Sequence, residues 1–486
     1  MTAIALVFAL SGAASGQNNL TESNAKMNAF SRTVLSTNGS TRATGYEMST
    51  KIITANGKVF VAWLDRVSDT QVRTLDLKSG RWSETVLVGT GLDNHGGPAM
   101  TLDSGGYLYL VFGPHHGPFQ FCRSRRPYDA TEWDKLPEFG DHATYPSLVC
   151  GPDDTLHCTY RGGPAPWRLM YQQRPAGGDW TAPRELVHPG VPDGYTQYGN
   201  SLAVGLDGTL HLVFHVYDMH PAAGKAAGYL RSRDGGSTWE TAAGKSLELP
   251  ATLSSPCFLE QDAGFDMRVG NVAVDAEGHP WLTVSHGEAK PTSVTLWHHD
   301  GVKWIARPLL PEVAVTFPGK QMAWHGCLTF DGAGTLYVAA VREDPPGGWG
   351  HPSQEVVLLT SRDRGVTFDV TQLSATDPAF PSWLPNLERP FGAKPLARPP
   401  GLLYTHGGPG AGVTEGAATE VVFVRLDPTS RPMRPWTPAA AGVQAAKPPQ
   451  DMRVKLRDIR VRDCRGNAPQ RLQERGCWRR PSGRWG

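Results

Sequence analysis

One pattern recurs along this chain and constrains its fold more than any other feature. It is a short apolar strand, an Asp-Gly-type turn, and a second strand rich in Val, Leu, Tyr and Phe. The pattern is read at Ile52–Asp65 (IITANGKVFVAWLD). It returns within Asp93–Ser124, where one strand ends at Asp103, a Ser-Gly-Gly turn follows, and a second strand runs from Tyr107 to Phe112. Further copies occupy Ser147–Arg161, Ser201–His215, Asn271–His286 and Cys327–Glu343, with a weaker seventh at Gly392–Thr405. The clear copies lie about 50 to 70 residues apart, too far for a WD-type array and ample for four-stranded units with loops. A chain with 55 Gly and 40 Pro also suits many short strands better than helices.

A second marker follows several of these hairpins. Ser232–Trp239 (SRDGGSTW) and Ser361–Phe368 (SRDRGVTF) fit the Asp-box pattern S-x-D-x-G-x-T-W/F, and degenerate forms occur at Asp76–Trp82 and His299–Trp304. In such a box the aspartate caps a tight turn and the aromatic packs beneath it, stapling the outer strands of a unit. It is a folding device and carries no chemistry. Seven units with Asp-boxes predict an all-β fold, a seven-bladed β-propeller over residues 30–430. A six-bladed ring is the fallback, and a two-domain β-sandwich is the competing fold.

Both ends of the chain read differently. Residues 1–17 resemble a secretory signal peptide, with an apolar core at Ala3–Leu10 and small residues after it, although the usual basic n-region is absent. Export to the periplasm or medium is therefore expected. The tail, 439–486, is Arg- and Pro-rich without apolar periodicity and is expected to be disordered. Seven cysteines leave at least one unpaired. Cys150 and Cys158 flank a hairpin turn and either pair across it or remain buried thiols, and Cys464 and Cys477 could pair in the tail. A formal charge of +1 implies neither nucleic acid nor an anionic membrane as a partner, so any anionic ligand must be met by local arginines.

In a propeller the first strand of each blade lines the axis and the second runs back beside it. Residues just before the first strand and just after the second then meet on one face. Before first strands stand His95, Tyr145, Tyr198, Arg268 and His325; after second strands stand His115, His116, Arg161, His215, His286 and Arg342. Few carboxylates join them. Tyr, His and Arg without paired acids do not suit the usual glycosidase, which needs two carboxyl groups about the bond. They suit β-elimination from a uronic acid, in which a cation neutralises the carboxylate while Tyr or His moves protons. A metal site built from His95, His115 and His116 is the alternative, with no partner acid evident in the sequence.

The runs NHGGPAMTLDSGGYLYLVFGPHHGP, CRSRRPYDATEW, ATYPS and LHCTYRGG are similar to the BNR-repeat family that contains polysaccharide lyase families 24 and 25, the ulvan lyases. The resemblance extends in organisation over Ser49–Asp427 and is most specific at Asp93–Arg161. It implies a seven-bladed propeller cleaving ulvan, a sulfated rhamnose–uronate polymer, by β-elimination. It also implies catalytic roles for His95, His115, Tyr145 and Arg161. Tyr145 would act as base and acid, Arg161 would neutralise the uronate, and Tyr198 would support the site, with Tyr195 a neighbour of the same type. His116, His215, Arg268, His286, His325 and Arg342 are the further substrate-binding candidates. Whether tyrosine or histidine is the base stays open. No cofactor is implied for catalysis. Family members can hold a structural metal ion, calcium or zinc, for which Cys257, His325 and Cys327 form a speculative cluster. The implied partner is an anionic polysaccharide met by a monomer. A sialidase-like hydrolase using Arg161, Arg268 and Arg342 is the runner-up, although the histidine pair has no place in it. A non-catalytic carbohydrate-binding propeller is the third reading.

Overall fold

The hairpin turns show how local chemistry sets the register. Asp153 Oδ1 accepts the Thr155 amide (3.1 Å) and Oδ2 the Thr155 hydroxyl (2.9 Å); Asp207 repeats this on Thr209 at 3.0 and 2.8 Å. Each aspartate closes its own turn and starts the next strand on a fixed residue. The computed structural model describes residues 30–189, 197–216, 225–262, 267–286, 293–410, 412–415 and 418–427. The signal-like start, the tail with Cys464 and Cys477, and Tyr195 lie outside these residues, as do the side chains of Tyr198 and His325. All described residues belong to one compact unit.

Every strand pairing is antiparallel, and the strands form five sheets. The first sheet contains β1 (Ser31–Gly39), β2 (Ile52–Ala55), β3 (Lys58–Asp65), β4 (Asp69–Asp76), β5 (Arg81–Trp82) and β6 (Val86–Thr90). A seven-stranded sheet follows: β7 (Ala99–Leu102), β8 (Leu108–Phe112), β9 (Gly117–Arg126), β10 (Asp129–Cys150), β11 (Leu156–Gly162), β12 (Arg168–Arg174) and β13 (Arg184–Val187). It is two meanders sharing β10, whose first part pairs with β9 and whose last part, Thr144–Cys150, pairs with β11. The next meander is β14 (Gln197–Val204), β15 (Leu210–Val216), β16 (Lys225–Ser232) and β17 (Phe258–Asp262). Another is β18 (Met267–Val274), β19 (Pro280–His286), β20 (Ser293–His299) and β21 (Trp304–Pro308). After helix α1 (Leu310–Thr316) comes β22 (Gln321–Phe330), β23 (Leu336–Glu343), β24 (Glu355–Ser361) and β25 (Asp369–Gln372). Last, β26 (Ser382–Leu387), β27 (Gly401–His406) and β28 (Thr419–Arg425) rejoin the first sheet, in the order β26-β27-β28-β1-β3.

The six clear hairpins of the sequence fall on observed strand pairs. The seventh needs correction. Its second strand is β27, but its first is Ser382–Leu387, upstream of the expected Gly392 start. The stretch 392–400 carries Pro395, Pro399 and Pro400, which cannot donate to a ladder, whereas SWLPNL is buried throughout.

The Asp-boxes form as expected. Asp234 takes the Ser232 hydroxyl (2.8 Å), the Thr238 amide (2.8 Å) and the Thr238 hydroxyl (2.6 Å), and Asp363 repeats the set on Ser361 and Thr367. The aromatics do more than staple their own strands. Trp239 meets Tyr171 of β12 edge-on at 5.6 Å, Trp304 meets Tyr229 of β16 at 5.2 Å, and Trp82 meets Phe423 of β28 at 5.3 Å. Each reaches the third strand of the preceding meander, and Trp82 reaches the last one. Such pairs contribute about 1 kcal/mol beyond the area they bury. The apolar core is therefore divided into layers between consecutive sheets, as where Val149, Leu169 and Tyr171 pack against Leu202, Phe214 and Trp239.

Cys150 and Cys158 are buried free thiols, as are Cys122, Cys257 and Cys327, so the cross-hairpin disulfide does not form. Two buried histidines, His157 and His211, occupy equivalent places on β11 and β15, each with Nδ1 2.7 Å from a tyrosine hydroxyl of the next strand. Burial holds His211 down to about 3, against an ordinary value near 6.5. Between those values the unfolded chain binds a proton that the folded one refuses, so this residue withdraws stability as pH falls. Comparing the unfolding free energy of the native chain with that of His211→Gln isolates its share from the other titrating groups. The native chain should lose about 1.4 kcal/mol more per pH unit below 6.5. Parallel pH profiles would contradict this.

Candidate active site

The first strand of a meander is interrupted at the same place five times. Two residues face one across the register shifts at Thr144/Ser147 in β10, Gln197/Asn200 in β14, Val269/Val272 in β18 and Trp383/Asn386 in β26, and three face one at Ala323/Cys327 in β22. A bulge of this kind re-aims a side chain. In β10 the bulged residue is Tyr145, which adopts φ 58° ahead of Pro146. Asn200 of the next sheet secures it by donating to the Tyr145 carbonyl at 3.1 Å. Glycine at 199 leaves room for the adjacent strand β15: a Cβ there would sit 2.6 Å from the His215 ring.

Around Tyr145 the four residues implied by the resemblance come together. Arg161, near the end of β11, places its guanidinium carbon 4.6 Å from the Tyr145 ring and 5.2 Å from Trp167, in the loop after β11. Both Tyr145 and Arg161 are buried, at 1% and 0% exposure. His95, ahead of β7, and His115, after β8, stack at 4.1 Å with 19° between their planes, and His95 stands 5.9 Å from the Tyr145 ring. His116, at φ 66°, extends the stack to His115 (4.3 Å) and then to Trp167 (4.2 Å). The result is a pile of four rings against one arginine.

Besides Trp167, three residues that the strand-end reading overlooked complete the cluster. Asp93 bridges the histidines: Oδ1 lies 2.9 Å from His95 Nδ1 and accepts the His95 amide (2.8 Å), and Oδ2 lies 2.7 Å from His115 Nδ1. Arg42 and Tyr46 come from the irregular stretch between β1 and β2. Arg42 Nη1 lies 2.8 Å from His95 Nε2 and bonds the Tyr46 hydroxyl, and its guanidinium covers Trp349 at 4.9 Å. Tyr46 meets Tyr145 edge-on at 5.1 Å. Burial alone would raise the Asp93 carboxyl, but the bonds from both imidazoles and the His95 amide hold it well below the usual carboxylate range. Burial, with Arg42 and His115 adding to it, lowers His95 to about 4. His116 falls to about 4 through burial first and the nearby Arg161 second. At neutral pH the cluster therefore holds an ionised Asp93 and neutral His95 and His116.

The other described candidates are engaged by neighbours of their own. His215 is buried on β15, its ring nitrogens 3.3 and 3.2 Å from the amides of Gly199 and Val269. Arg268 lies on β18 beside the field of the buried Glu47. His286 is held by Glu260 at 3.0 Å. Arg342 does not turn towards the cluster: it bonds Gln372 (2.6 Å) and covers Phe317 at 4.6 Å.

The metal expectation also changes. Cys257 packs with Leu202 and Trp239 while Cys327 packs with Tyr337 and Tyr404, so the two cysteines lie in different core layers; the His325 side chain of that trio is outside the described residues. Among the described residues, the group with ligand atoms close enough for an ion is Asp93, His95 and His115, within 4.8 Å, in place of the trio with His116. Its geometry is that of a hydrogen-bonded cluster. Both Nδ1 atoms are spent on the carboxylate, and a guanidinium sits on His95 Nε2. A cavity of about 420 Å³ lies among the opposite strand ends, lined by Gly205, Leu206, Asp275 and Asp331, away from this cluster.

Residues 58–309, just over half of the chain, match the model of the family described as BNR repeat-containing family member. The chain belongs to the BNR repeat-containing family. Among curated proteins, an ulvan lyase of Alteromonas sp. (strain LOR) is 24% identical to this BNR-repeat chain over 311 residues, 51% of the chain and 62% of that protein. The ulvan lyase-PL25 of Pseudoalteromonas sp. (strain PLSV) is 23% identical over 143 residues, 24% of the chain and 29% of that protein. The BNR-repeat chain thus spans less than two thirds of either relative. Among solved structures, a PL25 ulvan lyase bound to -[GlcA(1-4)Rha3S]- superposes with a TM-score of 0.64 at 15% identity, covering 80% of this chain and 95% of that one. The polysaccharide lyase Uly1 follows at 0.53 and 14%, covering 80% and 97%. At these identities the likeness is one of fold.

Proposed function

We propose that this chain is a secreted polysaccharide lyase that cleaves a sulfated, uronic-acid-containing polysaccharide by β-elimination from the face of a seven-bladed β-propeller. The ring reading is supported by the pairing of β1 with β28, and by Trp82 packing on the last meander as Trp239 and Trp304 pack on theirs. The lyase reading is carried by one observation: Tyr145, Arg161 and the His95–His115 pair meet at one bulge, where the described carboxylate, Asp93, is engaged by both histidines.

In the proposed reaction the Arg161 guanidinium pairs with the uronate carboxylate and stabilises the dianion-like state formed as the C5 proton leaves. The electron pair of the C5–H bond becomes the C4–C5 double bond, the C4–O bond breaks, and the departing oxygen takes a proton. Tyr145, beside Arg161, and His115, in the adjoining stack of rings, serve these two transfers. His95 is occupied at both nitrogens, by Asp93 and by Arg42. The Trp167 ring covers the Arg161 guanidinium, so the polymer displaces that ring as it binds.

Incubation with ulvan and a panel of other uronate polymers should raise the ultraviolet absorbance of unsaturated uronates. No rise with any of them sinks the reading. The sialidase alternative finds less support, because Arg342 of its arginine triad is engaged with Gln372 and Phe317.

A further inference from the structure

Asp93 meets two imidazoles through two different oxygens, and this determines where their hydrogens sit. An ionised carboxylate only accepts hydrogen bonds, so the Nδ1 of His95 at 2.9 Å and that of His115 at 2.7 Å must both carry hydrogen. In neutral rings both lone pairs then lie on Nε2. For His95 a second neighbour demands the same: Arg42 Nη1 lies 2.8 Å from Nε2, and a guanidinium can only donate. The His115 Nε2 is buried and has no hydrogen-bond partner among the described residues. The rings are stacked 4.1 Å apart, so protonating both would place two cations face to face beside Arg42.

We propose that Asp93 is a positioning residue that locks His95 and His115 together as Nδ1–H tautomers, and thereby reserves the His115 Nε2 lone pair for proton transfer. His95 is the inner member of the lock, tied to Asp93 on one side and Arg42 on the other. His115 is the working member. Its ring is fixed in rotation by Asp93 and clamped between the His95 and His116 rings at 4.1 and 4.3 Å. The groups facing the pair are Asp93 and Arg42 directly, with Tyr46, Tyr145 and His116 around them and Arg161 beyond His116. The tautomer lock stands independently of the reaction; only the use made of His115 Nε2 rests on the lyase reading.

The test reads tautomers first. In the full-length protein labelled with 15N-histidine, long-range proton–nitrogen correlation at neutral pH, assigned with His95→Gln and His115→Gln, should show Nδ1–H and an Nε2 lone pair for both residues. Asp93→Asn keeps the shape but can offer its oxygen to only one ring and its amide to the other. One ring should therefore switch to the Nε2–H tautomer. On a cleaved polymer the same variant should lose kcat by roughly 10² to 10⁴-fold, with KM little changed. Loss of packing alone would not produce that split. An Nδ1 lone pair on either ring of the native protein overturns the proposal, whether or not Asp93→Asn folds. So does a folded Asp93→Asn that keeps its tautomers and its kcat. If no polymer is cleaved but the native tautomers are as stated, the lyase reading fails and the lock is upheld.

Discussion

Tyr145→Phe should lose nearly all turnover, by roughly 10² to 10⁴-fold, while still binding the polymer. The substitution removes one oxygen and leaves the rest of the site as it was. The ring would still sit in the β10 bulge at φ 58°, still meet Tyr46 at 5.1 Å, and still lie under the Arg161 guanidinium at 4.6 Å. Loss of a single hydroxyl costs stability only about 1 kcal/mol, so the melting temperature should move little. Initial rates of ultraviolet absorbance, beside a melting curve and a binding isotherm, separate these effects. If Tyr145→Phe turned over at the native rate, both proton transfers would pass to His115.

Arg161→Ala should fail differently, in binding as well as in rate. A donor aimed at charge that develops in the transition state is worth roughly 10² to 10³-fold in kcat, and the same guanidinium would hold the ground-state carboxylate, so KM should rise too. Arg161 is wholly buried between the Tyr145 and Trp167 rings, and each cation–π contact contributes about 1 to 2 kcal/mol. Alanine would therefore also lower the melting temperature. Arg161→Lys isolates the chemistry: it restores the positive charge without the planar fork. It should recover stability in large part and kcat only in part. Equal recovery of both would mean that Arg161 acts through packing alone.

The hairpins were legible because their signal is local. An Asp-Gly-type turn between two apolar runs names both strands, and Asp153 and Asp207 close their turns within two residues. His95, His115, Tyr145 and Arg161 were legible for a similar reason, since each sits at a fixed offset from such a hairpin. What escaped was bound across long separations. Arg42 reaches His95 over 53 positions from a stretch with no strand periodicity, and Trp167 enters from a Pro-rich loop. Asp93 is only two residues from His95, but nothing in a D-x-H spacing says that the carboxylate also serves His115, 22 positions on. The last hairpin was misplaced because Pro385 inside SWLPNL masks a strand that tolerates it at a bulge.

The bulges in β10, β14, β18, β22 and β26 have a consequence for how such a molecule changes over time. At each of them the backbone steps out of register and then resumes it, so the inserted residue is uncoupled from the ladder on either side. The positions hold Tyr145–Pro146, Tyr198–Gly199, Gly270–Asn271, Trp324–His325–Gly326 and Leu384–Pro385, with little in common but their place. A replacement there alters what one sheet presents without shifting the pairing of its strands. The scaffold and the chemistry can therefore drift separately, one socket at a time.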